Sequence, residues 1–184
     1  MKNTSRLLAF LLLPALLLLP RIDSIFSATM PRKALVESLL LLLCGWAASR
    51  PYPGRRMASH APSAVVAATL LFLFWMIPRS IDLTQIYSGA NILYVISLFA
   101  TGFLLSHYFP LLPSVARVAY ALYFSSMLAA FGLLYASQST LLCSAYTLED
   151  QHAFGWMLVS LGLVAYLFVL ASMTRWLVPP SESR

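Results

Sequence analysis

The feature that most constrains this chain is a recurrence of apolar runs near the length of a bilayer crossing: segments 6–22, 30–48, 61–78, 90–109, 114–136 and 154–178. A hydrocarbon core of about 30 Å takes roughly 20 helical residues, and within lipid a spanning backbone satisfies its own polar groups only as a helix or a closed barrel. The last four segments reach that length outright, whereas the first two cross only with their polar flanks in the interface. With 60% hydrophobic and 10% charged residues, the composition excludes an ordinary soluble domain. The expected fold is all-α, a polytopic transmembrane helical bundle of six spans. No Gly/Ser-rich linker divides it, so residues 1–184 read as a single domain. Residues 1–28 also fit a signal peptide, with Lys2 and Arg6 ahead of Leu7 to Leu19 and a cleavage end at Ser27 or Ala28, which leaves five spans.

The net charge of +6 does not point to nucleic acid, because the basic residues are scattered at segment ends rather than clustered with interleaved aromatics. They read instead as topogenic charges. Taking the N-terminus as cytoplasmic places Lys2, Arg6, Arg50, Arg55, Arg56, Arg117, Arg175 and Arg184 on one side, against Arg21, Arg32, Lys33 and Arg79 on the other. That bias puts both termini inside, with the lipid bilayer of a cell membrane as the surrounding partner. Trp46 and Trp176 then lie near inner ends, and Trp75 and Trp156 near outer ones. Segment 137–153, which holds Glu149 and Asp150 but no Lys or Arg, faces outward. Cys44 and Cys143 fall on different levels, too far apart for an intramolecular disulfide.

One apolar run, LLFLFWMIPRSIDL at 70–83, stops at a proline followed by an arginine and an aspartate. Pro78 lacks a backbone donor and clashes with the preceding turn, so the helix kinks or ends there. Arg79 and Asp82, three apart, share a face on any resumed helix and can pair with each other. They either close an interfacial helix end or shape an outer mouth that docks a ligand or partner. LLLLPRIDSIF at 16–26 echoes the motif and suggests a repeat of the first two helices in the third and fourth, although its Arg21-to-Asp23 spacing is one residue shorter.

Glu37, within ALVESLLLLL, is an acid inside an apolar run, where charge is costly and usually turns inward to a partner. Arg21, Arg79 or a bound cation are the candidates. In the outward loop, TLLCSAY is apolar enough to fold back onto the bundle. Thr147 is placed to cap the last helix, with Glu149 and Asp150 in its first turn.

Soft ligands select Cu(I), and Met30, Met76, Cys143, His152 and Met157 all fall toward the outer side. Copper is thus the cofactor these residue types suggest, yet no H-x-x-x-H, M-x-x-M or C-x-x-C spacing links them. Haem has no facing histidines, because His60 and His107 lie inward and His152 outward. Nucleophile–base sets and a Gly-rich phosphate loop are both missing from the sequence pattern, so the chain does not read as an enzyme.

Three stretches resemble the CtaG-type cytochrome c oxidase assembly factors: FWMIPRSIDL (74–83), ISLFATGFLLSHYFPLLPSVARV (96–118) and LLYASQSTLLCSAYTLEDQHAFGWML (133–158). W-M-I-P-R-S-I-D and L-E-D-Q-H-A-F-G, the latter with Asp150 and Gln151, carry most of the likeness, which covers about residues 30–165. The resemblance implies a non-enzymatic protein of a bacterial inner membrane that helps mature a haem-copper oxidase, with the oxidase subunits as partners at the outer face. Arg79, Asp82, Glu37, Asp150 and Gln151 are then the structural or client-docking site. The chain departs from the family at MPRKALVESLLL, where Met30 and Glu37 stand without the family's histidines. Two other classes fit the sequence: a small transporter or channel using Glu37, Arg79 and Asp82, and a purely structural membrane subunit.

Overall fold

A computed structural model describes residues 12, 14–49 and 59–177, with side chains as far as residue 173. The N-terminal part of segment 6–22, Lys2, Arg6, Arg50, Arg55, Arg56, Arg184, both termini and the side chains of Arg175 and Trp176 lie outside the described residues. Among those described, helix is the only regular structure. The order is α1 (Pro20–Ser27), a π-helical segment (Arg32–Glu37) running directly into α2 (Ser38–Ser49), α3 (Ala61–Trp75), α4 (Pro78–Ile86), α5 (Ser88–Tyr108), a 3-10 turn (Phe109–Leu111), α6 (Ser114–Ser137) and α7 (Leu148–Leu177).

Three of these stretches are long and apolar enough to cross a bilayer: Ser88–Leu111, Ser114–Ser137 and Leu148–Met173. A fourth crossing exists if α3 and α4, bent by 69° at Met76 and Ile77, count as one broken span. The bend falls where Pro78 places it. Ile77 takes an extended conformation and Pro78 restarts the helix in its first turn, the position where a missing N–H costs nothing. Leu19 and Pro20 repeat that geometry at the start of α1. The sequence echo is therefore also a structural one.

Close packing fixes the directions of the helices. Contacts between α2 and α5 climb both helices together: Lys33 bonds Asn91, Ser38 bonds Tyr94, and Gly45 abuts Phe99 and Phe103. These two helices run parallel. A Cβ on Gly45 would collide with the Phe99 carbonyl and one on Gly102 with the Leu42 carbonyl, so both glycines serve close backbone approach. By contrast α3 is antiparallel to α5, as the bonds from Trp75 to Ser97 and from Thr101 to the Ala68 carbonyl require. The α6–α7 hairpin is antiparallel too, with Gly132 against Gly155 and Val159, and Gly162 against Ser125 and Ala129.

The main apolar core gathers at the level of the two proline breaks. There Met30, Trp75, Met76, Tyr94, Tyr135, Cys143 and Phe154 are buried together, with the Trp75 and Tyr94 rings edge-on at 5.3 Å. A smaller cluster of Ala61, Val65 and Leu112 closes the opposite end. Leucines and valines elsewhere on α5, α6 and α7 point outward uncovered, as lipid-facing side chains do. Cys44 and Cys143 are free thiols.

Candidate functional site

Two polar constellations lie at the level of the proline breaks. The first holds the loop 138–147. From α4, Asp82 is buried and accepts three hydrogen bonds: Oδ2 from the Ser144 backbone N–H at 2.8 Å and the Ser144 hydroxyl at 3.0 Å, and Oδ1 from the Ala145 N–H at 3.2 Å. From α7, the fully buried Gln151 takes the Leu142 N–H on Oε1 at 2.8 Å. Its amide donates to the carbonyls of Thr140 and Tyr135, at 3.3 and 3.4 Å. Tyr135 in turn donates from its hydroxyl to the Met76 carbonyl at 2.7 Å, a carbonyl freed by the break between α3 and α4. His152 Nε2 sits 2.8 Å from the Gln138 carbonyl. Thr147 caps α7 by accepting the Asp150 N–H at 3.1 Å, and its hydroxyl donates to the Asp150 carboxylate.

The expected Arg79–Asp82 pair does not form. Arg79 is exposed at the rim, while Asp82 turns inward. The physical reason is competition: the unpaired N–H groups of a folded-back loop need acceptors more than a hydrated guanidinium does. Cys143, buried in the same loop, lies 3.6 Å from the Pro78 carbonyl as a thiol donor. Burial first, and the Asp82 charge second, push its thiol up to about 12.

The second constellation is one the sequence reading missed. Lys33, expected as an outer topogenic charge, is only 1% exposed. Its ammonium lies 2.7 Å from Asp23 Oδ1, 2.8 Å from Asn91 Oδ1 and 3.0 Å from Glu37 Oε2, and 5.2 Å over the Tyr94 ring. Asn91 also donates to Asp23 at 3.1 Å. Within the π-helical turn, the Lys33 carbonyl accepts the Tyr94 hydroxyl at 2.7 Å. Because that hydroxyl has spent its proton, the Ser38 hydroxyl 2.8 Å away must be the donor in their bond. Local π turns often mark functional sites.

Glu37 thus has a partner, but a different one from those expected: Arg21 and Arg79 are both exposed, and Lys33, four residues before Glu37, takes the place. The signal was present as an i, i+4 Lys–Glu spacing and as Asn91 inside an otherwise apolar segment.

No family model, curated protein or solved structure matches this chain. Its chemistry is therefore read from these two constellations.

The soft-ligand candidates do not make an open metal position. Met30, Met76 and Cys143 are packed in one apolar cluster, Met157 is half exposed on α7, and His152 is engaged by a carbonyl. Among the described residues no three His, Cys, Asp or Glu side chains stand close enough to hold a metal ion. The donor set does not fit a copper carrier.

Proposed function

We propose that this protein is a non-enzymatic accessory of a bacterial respiratory membrane oxidase with a haem-copper or other copper centre, acting as a scaffold at the outer face of the inner membrane. The observation that carries this reading is the union of two stretches far apart in sequence. Asp82 of PRSID and Gln151 of LEDQ grip the same loop 138–147 from opposite sides, and Tyr135 ties that loop's base to Met76. These are the two stretches whose pattern resembles the CtaG-type factors. They form one rigid surface with Arg79 standing free of Asp82 at its rim, a cation available to a client. Copper on this reading is the client's cargo, since Met30, Met76 and Cys143 are shut into the core.

The six-span arrangement with both termini cytoplasmic belongs to the same proposal. Its support is the alternation of directions, with α2 and α5 parallel, α3 opposed to α5, and α6 and α7 opposed to each other. The test is oxidase activity and subunit yield in cells carrying Arg79→Glu. Loss of oxidase at an unchanged level of this protein supports client docking, and normal oxidase with that variant and with a deletion of the chain sinks the reading.

One observation favours a transporter or channel as the second reading. Two proline-broken helices bracket a buried ionic cluster, an arrangement found at transporter midplanes. Against it, the cavity of about 190 Å³ among Leu42, Trp46, Phe72, Leu105 and Phe124 carries no charged side chain. Proteoliposomes that accumulate a solute only when Lys33 is intact would reverse the ranking.

A further inference from the structure

The Lys33 cluster holds one ammonium and two carboxyl groups, all within 3.0 Å of a single nitrogen. The two acids are not equivalent. Asp23 accepts from Lys33 and from Asn91, lies 3.5 Å from the Ser27 hydroxyl, and stays partly open to solvent. Glu37 is fully buried, its Oε2 lies 3.0 Å from the Lys33 ammonium, and no other described group donates to either of its oxygens.

If both acids were ionised, two carboxylates would share one ammonium and leave a net negative charge in the interior, a costly arrangement. A metal cation would neutralise it, but the Lys33 ammonium beside Glu37 repels one, and too few free oxygens converge to replace its water shell. A proton meets neither objection. The groups around Glu37 agree with that choice. Asp23 faces it from α1, Lys33 from its own segment and Tyr94 from α5, and Tyr146 comes from the loop 138–147. From α7, the apolar Phe154 and Leu158 share the cluster of Met30 and Ala34. Of these only Lys33 is cationic, and it is engaged with Asp23. The Tyr146 hydroxyl is buried without a partner and feels the charges of both Glu37 and Asp82.

We infer that Glu37 is a proton-binding site in the protein interior, taking up a proton from water as the pH falls below neutral, because it shares the one Lys33 ammonium with Asp23 and Asn91. This does not depend on the oxidase reading, and its test reads the carboxyl itself, so the two stand or fall separately.

The experiment is infrared spectroscopy of the full chain in lipid nanodiscs, with glutamate carbonyls labelled with ¹³C. The chain has three glutamates, Glu37, Glu149 and Glu182. A protonated-carboxyl C=O band that grows as the pH is lowered below neutral, shifts with the label, and is lost in Glu37→Gln, is the expected result. Asp23→Asn supplies an independent arm: it releases Lys33 to Glu37, which should then ionise, and the band should vanish although Glu37 is intact. Should Glu37→Gln fail to fold, the labelled wild-type band and the Asp23→Asn arm still decide. Absence of a label-sensitive band in the wild type overturns the inference. So does a band that disappears when sodium or potassium is added at constant pH, because a metal cation then competes for the site.

Discussion

Asp82 illustrates how one carboxylate fixes a loop. Its three donors all belong to Ser144 and Ala145, and hydrogen bonds to a charged group are each worth about 1.5–3 kcal/mol. Asp82→Ala strands two backbone N–H groups in a buried place and should cost about 3–5 kcal/mol, read as a lowered unfolding temperature in detergent. Asp82→Asn keeps an acceptor and should cost less, whereas Arg79→Ala at the exposed rim should stay within about 0.5 kcal/mol. Equal effects from Arg79→Ala and Asp82→Ala would contradict the assignment of Asp82 to the loop.

Cys143 reports on the same loop. With its thiol pushed up to about 12, chiefly by burial and then by Asp82, it carries almost no thiolate at neutral pH and is shielded besides. The thiolate is the form that reacts. In a Cys44→Ser background, a water-soluble maleimide should leave Cys143 unlabelled near neutral pH, with reactivity rising only as strongly alkaline conditions are approached. Asp82→Ala should open the site, by removing the negative charge and releasing the loop together. The sequence made Asp82, Asp150 and Gln151 visible as polar residues beside apolar helices. It hid Lys33 because a lysine near a helix end looks like any flanking charge until the opposite face of the fold, here Asn91 and Asp23, is known.

At the level of elements, the break at Pro78, the cap at Thr147 and the folding back of TLLCSAY were legible because each follows from local chemistry. The π-helical turn at 32–37 was not, since the Tyr94 hydroxyl that bonds its Lys33 carbonyl comes from another helix, and tertiary partners leave no mark in a local pattern. The α6–α7 seam is likewise tertiary. A Cβ on Gly155 would lie 2.5 Å from the Ala136 nitrogen and 2.8 Å from the Gly132 carbonyl oxygen, both backbone atoms that cannot swing aside. Gly155→Leu should therefore wedge the hairpin apart at a cost of about 1–3 kcal/mol. Gly89, whose Cβ would meet nothing within 4 Å, is the matched control and should accept alanine with little change in unfolding temperature.

Across the whole molecule, the proline echo has a counterpart in contacts at the same sequence offset, as two related halves would give. Gln85 donates to Ser27 and Lys33 donates to Asn91, and each pair is 58 residues apart, the same offset that separates Pro20 from Pro78. Residues at equivalent places in two repeats meet in this way only near a two-fold axis. Because α2 and α5 run parallel, that axis lies along the helices, which makes the repeats parallel rather than inverted. The chemistry at these positions is not matched, with lysine in one stretch facing asparagine in the other, and so the echo in sequence is faint.

The symmetry makes a demand on topology that the charge bias alone does not. The turns that precede α2 and α5, near Ala28 and Tyr87, must open on the same side as the loop 138–147, and the turn near Leu112 must open on the other. Single cysteines at Ala28, Tyr87 and Ser139, in a chain otherwise free of cysteine, should be labelled by a membrane-impermeant maleimide from outside intact cells. A cysteine at the exposed neighbouring Pro113 should be labelled only after the membrane is opened. If Ala28 and Tyr87 report from opposite sides, the two halves are not parallel repeats, and the bonds between Ser27 and Gln85 and between Lys33 and Asn91 lose their common explanation.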